Sequence, residues 1–318
     1  MMTLIMSTLI TLSANNWVSM WVGLEINMMS FIPLILNNIN KSSSEAAMIY
    51  FLVQSVSSMV LMMMVLMMMC KYLISKKIIN NIIIISILIK LGAAPFHIWM
   101  PKVMSKMEWY KCSLLMTWQK IGPLFMISNL NSNSIINLYI FLSVSIGSMG
   151  GLNQTSLRKM MAYSSINHLG WMLAINKSMN LWMIYLFTYS IMVSSLCYLF
   201  FSYKLNFINQ MSSLNMNSLE KSSFFIMMLS MGGLPPFIGF LPKWITIQSL
   251  IHEQEFLMMI IMVMFSLVTL MYYLRIMTNM FLSFNSLIKW SLHYPKYSTM
   301  IIMLINLSLP LIMIMDII

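Results

Sequence analysis

Charge is scarce in this chain, and negative charge is scarcer still. Only 8% of the 318 residues are Asp, Glu, Lys or Arg, with 18 basic side chains against 7 acidic ones. Asp occurs once, at Asp316, and Arg twice, at Arg158 and Arg275. Soluble globular domains carry roughly a quarter of their residues as charges, so a water-facing surface over this length is excluded. Cysteine is equally sparse: Cys70, Cys112 and Cys197 lie far apart with no C-x-x-C, which supports neither an iron-sulfur site nor a disulfide framework and leaves them as packing residues. No G-x-G-x-x-G turn is present, so a dinucleotide site is not expected. The net charge of +11 has no basic stripe or soluble domain to present it, so nucleic acid is not an expected partner either.

Apolar residues fill the space that charge leaves. They make up 60% of the chain and recur end to end in stretches of membrane-spanning length. A closed barrel would alternate apolar and polar positions in short segments, and runs such as Met59 to Met69 do not alternate. The expectation is an all-α polytopic membrane protein with about eleven transmembrane helices, read as one domain over residues 1–318. The spans fall near Thr3 to Leu12, Trp17 to Leu36, Ala46 to Cys70, Ile78 to Lys102, Ser113 to Ser128 and Ile135 to Gly150, then Leu157 to Ile175, Leu181 to Tyr203, Phe224 to Leu250, Phe256 to Phe284 and Thr299 to Ile317.

Alternating the loops between two sides separates the charges. One side carries Lys41, Lys102, Lys106, Lys111, Arg158, Lys159, Lys204, Lys221, Lys289 and Lys296. The other carries Lys71, Lys76, Lys77 and Lys177 with Glu253, Glu255 and Asp316. The positive-inside bias makes the first side the matrix, with the N-terminus there and the C-terminus in the intermembrane space. An organelle is suggested by 42 Met residues and the rarity of Arg, as expected of DNA rich in A and T read with AUA as Met. Met1 to Leu12 carries no basic leader, which fits synthesis inside that organelle.

Against this background four ionisable residues stand inside apolar runs: Glu25, Lys90, Lys120 and Lys243. A charge at the bilayer centre costs roughly 2.5 to 3.5 kcal/mol on insertion scales, and such residues mark ion or proton paths by default. Two spans are also interrupted by helix-breaking sequence, at Gly92-Ala93-Ala94-Pro95 and at Gly232-Gly233-Leu234-Pro235-Pro236. Proline lacks the amide N–H, so Pro95 frees the carbonyl of Leu91 and Pro236 that of Gly232. Paired interrupted spans point to an inverted repeat with a transport site between the breaks, although loops joining separate short helices are the plainer alternative.

Lys90 lies before the first break and Lys243 after the second, while Lys120 sits mid-span beside the Gln119 carbonyl that Pro123 frees. Burial disfavours an ammonium and a nearby carboxylate favours it, so a lysine can exchange its proton as a partner approaches or leaves. Glu25 is the available carboxylate; a static buried ion pair is the alternative. His168 shares a helix face with Ser164 and Ser165 and reads as a relay group or as a packing residue. Arg275 and His97 are weaker candidates, and Trp17 and Trp290 read as interfacial anchors.

The strings Gly23-Leu24-Glu25-Ile26-Asn27, Lys90-Leu91-Gly92-Ala93-Ala94-Pro95-Phe96-His97, Thr117-Trp118-Gln119-Lys120, Tyr163-Ser164-Ser165-Ile166-Asn167-His168 and Gly239-Phe240-Leu241-Pro242-Lys243-Trp244 resemble, in this order, the antiporter-like membrane-arm subunits of mitochondrial NADH:ubiquinone oxidoreductase, respiratory complex I. That resemblance implies two inverted five-helix repeats, each with a broken helix. It implies a proton relay through Glu25, Lys90, Lys120 and Lys243, and His168 is expected to join them from its own place on a helix face with the serines. It implies no cofactor in this chain, with NADH, FMN, iron-sulfur clusters and ubiquinone held by partner subunits. The expected partners are other membrane-arm subunits, membrane lipids and protons, and the location is the inner membrane. Bacterial relatives have fourteen spans, and this chain resembles them from their fourth onward. A free-standing cation/proton antiporter and a purely structural membrane subunit are the rival functions.

Overall fold

The computed structural model describes residues 1–37, 40–70, 75–130, 133–212, 218–282 and 297–310. These residues fold as helices packed on helices, with no strand among them beyond one isolated bridge between Ser156 and Phe207. Five helices are long and apolar enough to cross a membrane: Trp17–Leu36, Lys41–Met69, Ile135–Leu152, Met179–Ser202 and Phe256–Phe281. Lys71, Trp290, Lys289, Lys296 and Asp316, which entered the loop-charge and anchor expectations, lie outside the described residues.

Burial runs opposite to that of a soluble protein. On Lys41–Met69 the exposed stripe is apolar, with Met48, Leu52, Val56, Met59 and Met63, and it repeats at three- and four-residue spacing. The inward stripe holds Tyr50, Gln54, Ser57 and Ser58. Polar side chains face other helices because lipid offers them no hydrogen-bond partner. That helix opens with a reciprocal cap, in which the Asn40 amide donates to Ser43 Oγ at 3.0 Å.

Two predicted spans are broken where glycine and proline stand. The first runs as Lys76–Leu91 and resumes at Trp99–Lys106; the second runs as Ser218–Gly232 and resumes at Phe240–His252. Both upstream helices end in the same cap. Gly92 and Gly233 take left-handed conformations, with φ of 69° and 79°, and the amides of Ala93 and Leu234 reach back to the carbonyls of Leu88 and Leu229. Cβ-bearing residues would be strained at both positions.

The span predicted over Ser113 to Ser128 is also interrupted, which the sequence reading did not anticipate. It consists of Trp109–Met116, a 3-10 turn at Trp118–Lys120, and Ile121–Ser128. Pro123 withdraws the amide that would bond the Gln119 carbonyl, and the chain tightens instead, with the Lys120 amide on the Thr117 carbonyl at 3.2 Å. Lys120 therefore projects from a helix discontinuity rather than from a regular turn.

The Leu157–Ala174 helix runs through the middle of the bundle, with nearly every residue from Ser164 to Ala174 buried. It approaches the preceding helix very closely. A Cβ on Gly170 would stand 2.4 Å from Val144 Cγ2, and one on Gly147 would stand 2.6 Å from the Asn167 amide. Glycine at the crossing lets the two backbones meet, as small residues do in membrane helix pairs.

Candidate functional site

Lys90, Lys120, Lys243 and His168 are all buried, at 6%, 2%, 4% and 3% exposure. Each is held differently, and the differences follow from local backbone. Lys90 ends the helix before the first break, where its Nζ stands 3.8 Å from Glu25 Oε1. That separation exceeds a hydrogen bond, so the pair is an open coulombic contact. Its neighbouring carbonyls are satisfied by side chains: Gln54 Nε2 donates to the Lys90 carbonyl at 3.1 Å, and Trp99 Nε1 to the Ile89 carbonyl at 3.2 Å.

Lys120 leaves its 3-10 turn and donates to the Ser165 carbonyl at 3.1 Å, with the ring of Tyr189 5.1 Å away. Between Lys90 and Lys120 lies a cavity of about 20 Å³, lined in part by Asn27, Tyr50, Gln54 and Gln119. Gln119 is clasped from both sides: its Nε2 donates to Asn27 Oδ1 at 3.0 Å, and the Tyr50 hydroxyl donates to its Oε1 at 3.3 Å. A space of this size holds about one water, and the polar lining supplies the partners a water requires. Both lysines border this one chamber.

Lys243 turns back across the second break and donates to the Gly232 carbonyl at 2.6 Å. This is the carbonyl that Pro236 leaves without an amide, so the lysine caps the helix end against which its charge is favoured. Glycine suits the position between them, where φ is 79° and a Cβ at Gly233 would lie 2.7 Å from Lys243 Nζ. Trp171 flanks the ammonium at 5.7 Å.

The Leu157–Ala174 helix joins the two halves of this arrangement. Ser165 receives Lys120, His168 follows one turn on, and Trp171 borders Lys243 another turn on. Six residues of helix, a rise of about 9 Å, separate the Lys120 and Lys243 contacts, and His168 lies between them. His168 Nδ1 is paired with the Tyr185 hydroxyl at 2.8 Å, and its ring packs 4.8 Å from that of Tyr189. Ser164 and Ser165 share its helix but spend their hydroxyls on the carbonyls of Met161 and Ala162.

The weaker candidates take structural places. Arg275 donates to the carbonyls of Leu152 and Gln154 and ties down a helix end. His97 is half-buried in the first break with Nδ1 3.2 Å from the Pro95 carbonyl. Cys112 and Cys197 are buried and unbridged. Lys111, expected in a loop, is buried as well, with Nζ 3.3 Å from the Ile35 carbonyl and 3.5 Å from Glu108.

Broken helices around an interior row of lysines define a class, the antiporter-like membrane subunits of proton-moving complexes. The chain belongs to the family described as NADH:quinone oxidoreductase/Mrp antiporter, transmembrane, which matches residues 14–269. Among its relatives, NADH-ubiquinone oxidoreductase chain 2 of Aedes aegypti is 52% identical over 88% of this chain and 84% of its own. The protein of the same name from Anopheles gambiae is 44% identical over 94% of this chain and 87% of its own. The fold is also that of a chain in respiratory complex I from Thermus thermophilus, with a TM-score of 0.80 at 20% identity, covering 94% of this chain and 73% of that one.

Proposed function

We propose that this chain is a core membrane-arm subunit of mitochondrial NADH:ubiquinone oxidoreductase and moves protons across the inner membrane through Glu25, Lys90, Lys120, His168 and Lys243. The observation that carries the reading is the polar, water-sized chamber bordered by both Lys90 and Lys120, with Glu25 at 3.8 Å from Lys90. Electrons travel in partner subunits, which hold NADH, FMN, iron-sulfur clusters and ubiquinone. This chain contributes no redox group.

The mechanism uses the open Glu25–Lys90 contact as its control. At an effective dielectric of about 20, opposite charges about 4 Å apart attract by about 4 kcal/mol, and doubling the separation halves this. A displacement of Glu25 by a few ångströms therefore changes the free energy of protonating Lys90 by about 2 kcal/mol, roughly thirtyfold in proton affinity. The proton released crosses one water to Lys120, then passes by His168 toward Lys243. Asn167 Oδ1 and Trp171 Nε1, buried on the connecting helix without hydrogen-bond partners among the described residues, are available to further water along this step.

The two glycine-capped breaks support a pair of inverted five-helix repeats within about eleven spans. The charge of the loops supports a matrix-side N-terminus and an intermembrane-space C-terminus. A free-standing cation antiporter is disfavoured, because oxygen ligands suit a metal cation and the interior row sets three ammonium groups beside one carboxylate, Glu25.

Glu25→Gln tests the reading in the assembled complex, with Glu25→Asp as the conservative control. The expected outcome is a fall in quinone-reductase turnover and in protons moved per electron, partly restored by Asp. A Gln variant that assembles and pumps at the unaltered ratio would sink the relay.

A further inference from the structure

A second site lies away from the lysine row. A cleft of about 810 Å³ opens at one end of the bundle, where Lys76–Leu91 and Phe256–Leu282 begin and Ile121–Ser128, Leu157–Ala174 and Phe240–His252 end. Its size is that of a small-molecule pocket. We propose that it binds a phospholipid whose headgroup carries a primary ammonium and a phosphate, the chemistry of a phosphatidylethanolamine.

The polar lining includes acceptors that no donor among the described residues reaches. Asn176 Oδ1 and Asn80 Oδ1 are buried without hydrogen-bond partners among the described residues, and Asn176 is only 3% exposed. A buried acceptor left unpaired is unfavourable, so both oxygens call for a donor. Glu255 lines the same cleft with its two oxygens 3.4 and 3.2 Å from Asn137 Nδ2, which leaves further lone pairs to accept. Three acceptor groups on one cleft match a group with several N–H donors and a positive charge. Glu253 already has a cation, since its Oε2 is paired with Lys177.

The opposite requirement stands at the rim. Lys77 is exposed in the cleft and has no ion-pair or hydrogen-bond partner among the described residues. Its ammonium suits a phosphate as a point charge. Ile127, Ile140 and Leu173 supply apolar wall beside these groups, as an acyl chain requires. A quaternary choline headgroup has no N–H to offer the two asparagines, and a glycerol headgroup has no cation for Glu255. The site therefore discriminates by donor count as well as by charge, and it does so whether or not the lysine relay operates.

The test uses the intact purified complex, washed of loosely held lipid and equilibrated with phosphatidylethanolamine and phosphatidylcholine of identical chains, followed by mass spectrometry of what is retained. The unaltered complex is expected to retain the ethanolamine lipid, and Asn176→Ala or Lys77→Gln to release one equivalent per complex or weaken it at least tenfold. Lys77 is exposed at a helix start, so its variant reports even where Asn176→Ala fails to assemble. Equal retention of the two lipids, or no change in the Lys77→Gln complex, would overturn the proposal. Displacement by excess inorganic phosphate would reduce the site to an anion site, and displacement by soluble phosphoethanolamine would make its ligand a free zwitterion; either overturns the lipid assignment.

Discussion

Replacing Lys120 by Met separates a relay from a strut. The substitution removes a hydrogen bond from the ammonium to the Ser165 carbonyl at 3.1 Å and a contact with the Tyr189 ring at 5.1 Å. Bonds to charged groups contribute about 1.5 to 3 kcal/mol and a desolvated cation over a ring about 2 kcal/mol. Opposing this, a lysine at 2% exposure forfeits several kcal/mol of hydration, which Met does not. Exchanging buried charges for apolar side chains of similar size is often neutral, or stabilising by roughly 1 to 4 kcal/mol. Met is flexible enough to follow the lysine stem through the 3-10 turn. The expected outcome is a complex that assembles to its usual level on native gels and resists heat at least as well, yet moves fewer protons per electron and turns over slowly. Lys120→Arg keeps the charge but cannot release a proton, so it should pump no better than Met. Normal pumping by either variant would refute the relay, and loss of the assembled complex in Lys120→Met would show the ammonium to be structural.

Gly233→Ala places a Cβ 2.7 Å from Lys243 Nζ at a φ of 79°, so the lysine must leave the Gly232 carbonyl and the backbone carries about 1 to 3 kcal/mol of strain. Gly92→Ala meets the same backbone strain but touches only Trp99, at 3.1 Å; both should lower the yield of complex, while pumping per assembled complex falls in Gly233→Ala alone. Tyr185→Phe strands His168 Nδ1, a loss of about 1 to 3 kcal/mol, and should alter the solvent isotope effect on turnover if the histidine carries protons, a quantity that packing alone would leave unmoved. Arg158 donates to the Met107 carbonyl at 2.5 Å and to Asn206 Oδ1 at 2.9 Å, a fork that lysine cannot reproduce, so Arg158→Lys should destabilise the complex by about 1 kcal/mol in thermal inactivation without changing its proton ratio.

What could be read before folding depended on how local each cause was. The helical spans and the two breaks are written in short strings, because apolar run length and a Gly-Pro pair act within a few residues of themselves. Trp17–Leu36 is recovered to the residue, and Gly92 and Gly233 cap the helices that their prolines end. The Glu25–Lys90 contact was also reachable, since a carboxylate and an ammonium isolated in apolar surroundings have few alternatives to each other. The reach of Lys243 was half visible: Pro236 marks the Gly232 carbonyl as free, but only the fold brings the lysine back across eleven residues to fill it.

The remainder depends on which helices touch, and no local string contains that. His168 pairs with Tyr185 because the helices that carry them pack together; the serines nearer in sequence had the better claim by spacing and lost it to their own backbone carbonyls. Gln119 shows the point most sharply. In sequence it is one polar residue four places before a proline. In the fold its two ends are held by Asn27 and Tyr50 from different helices, and this clasp forms a wall of the chamber between Lys90 and Lys120. The Trp118–Lys120 turn was legible as a freed carbonyl, but not as the geometry that aims Lys120 at Ser165 rather than along its own helix. The charges of the proposed path are therefore a property of the sequence, whereas the contacts that would connect them are a property of the packing. A substitution such as Gly170→Val, which leaves every ionisable group in place but adds atoms where a single Cβ already stands 2.4 Å from Val144 Cγ2, should disrupt the path by moving the helix that carries His168.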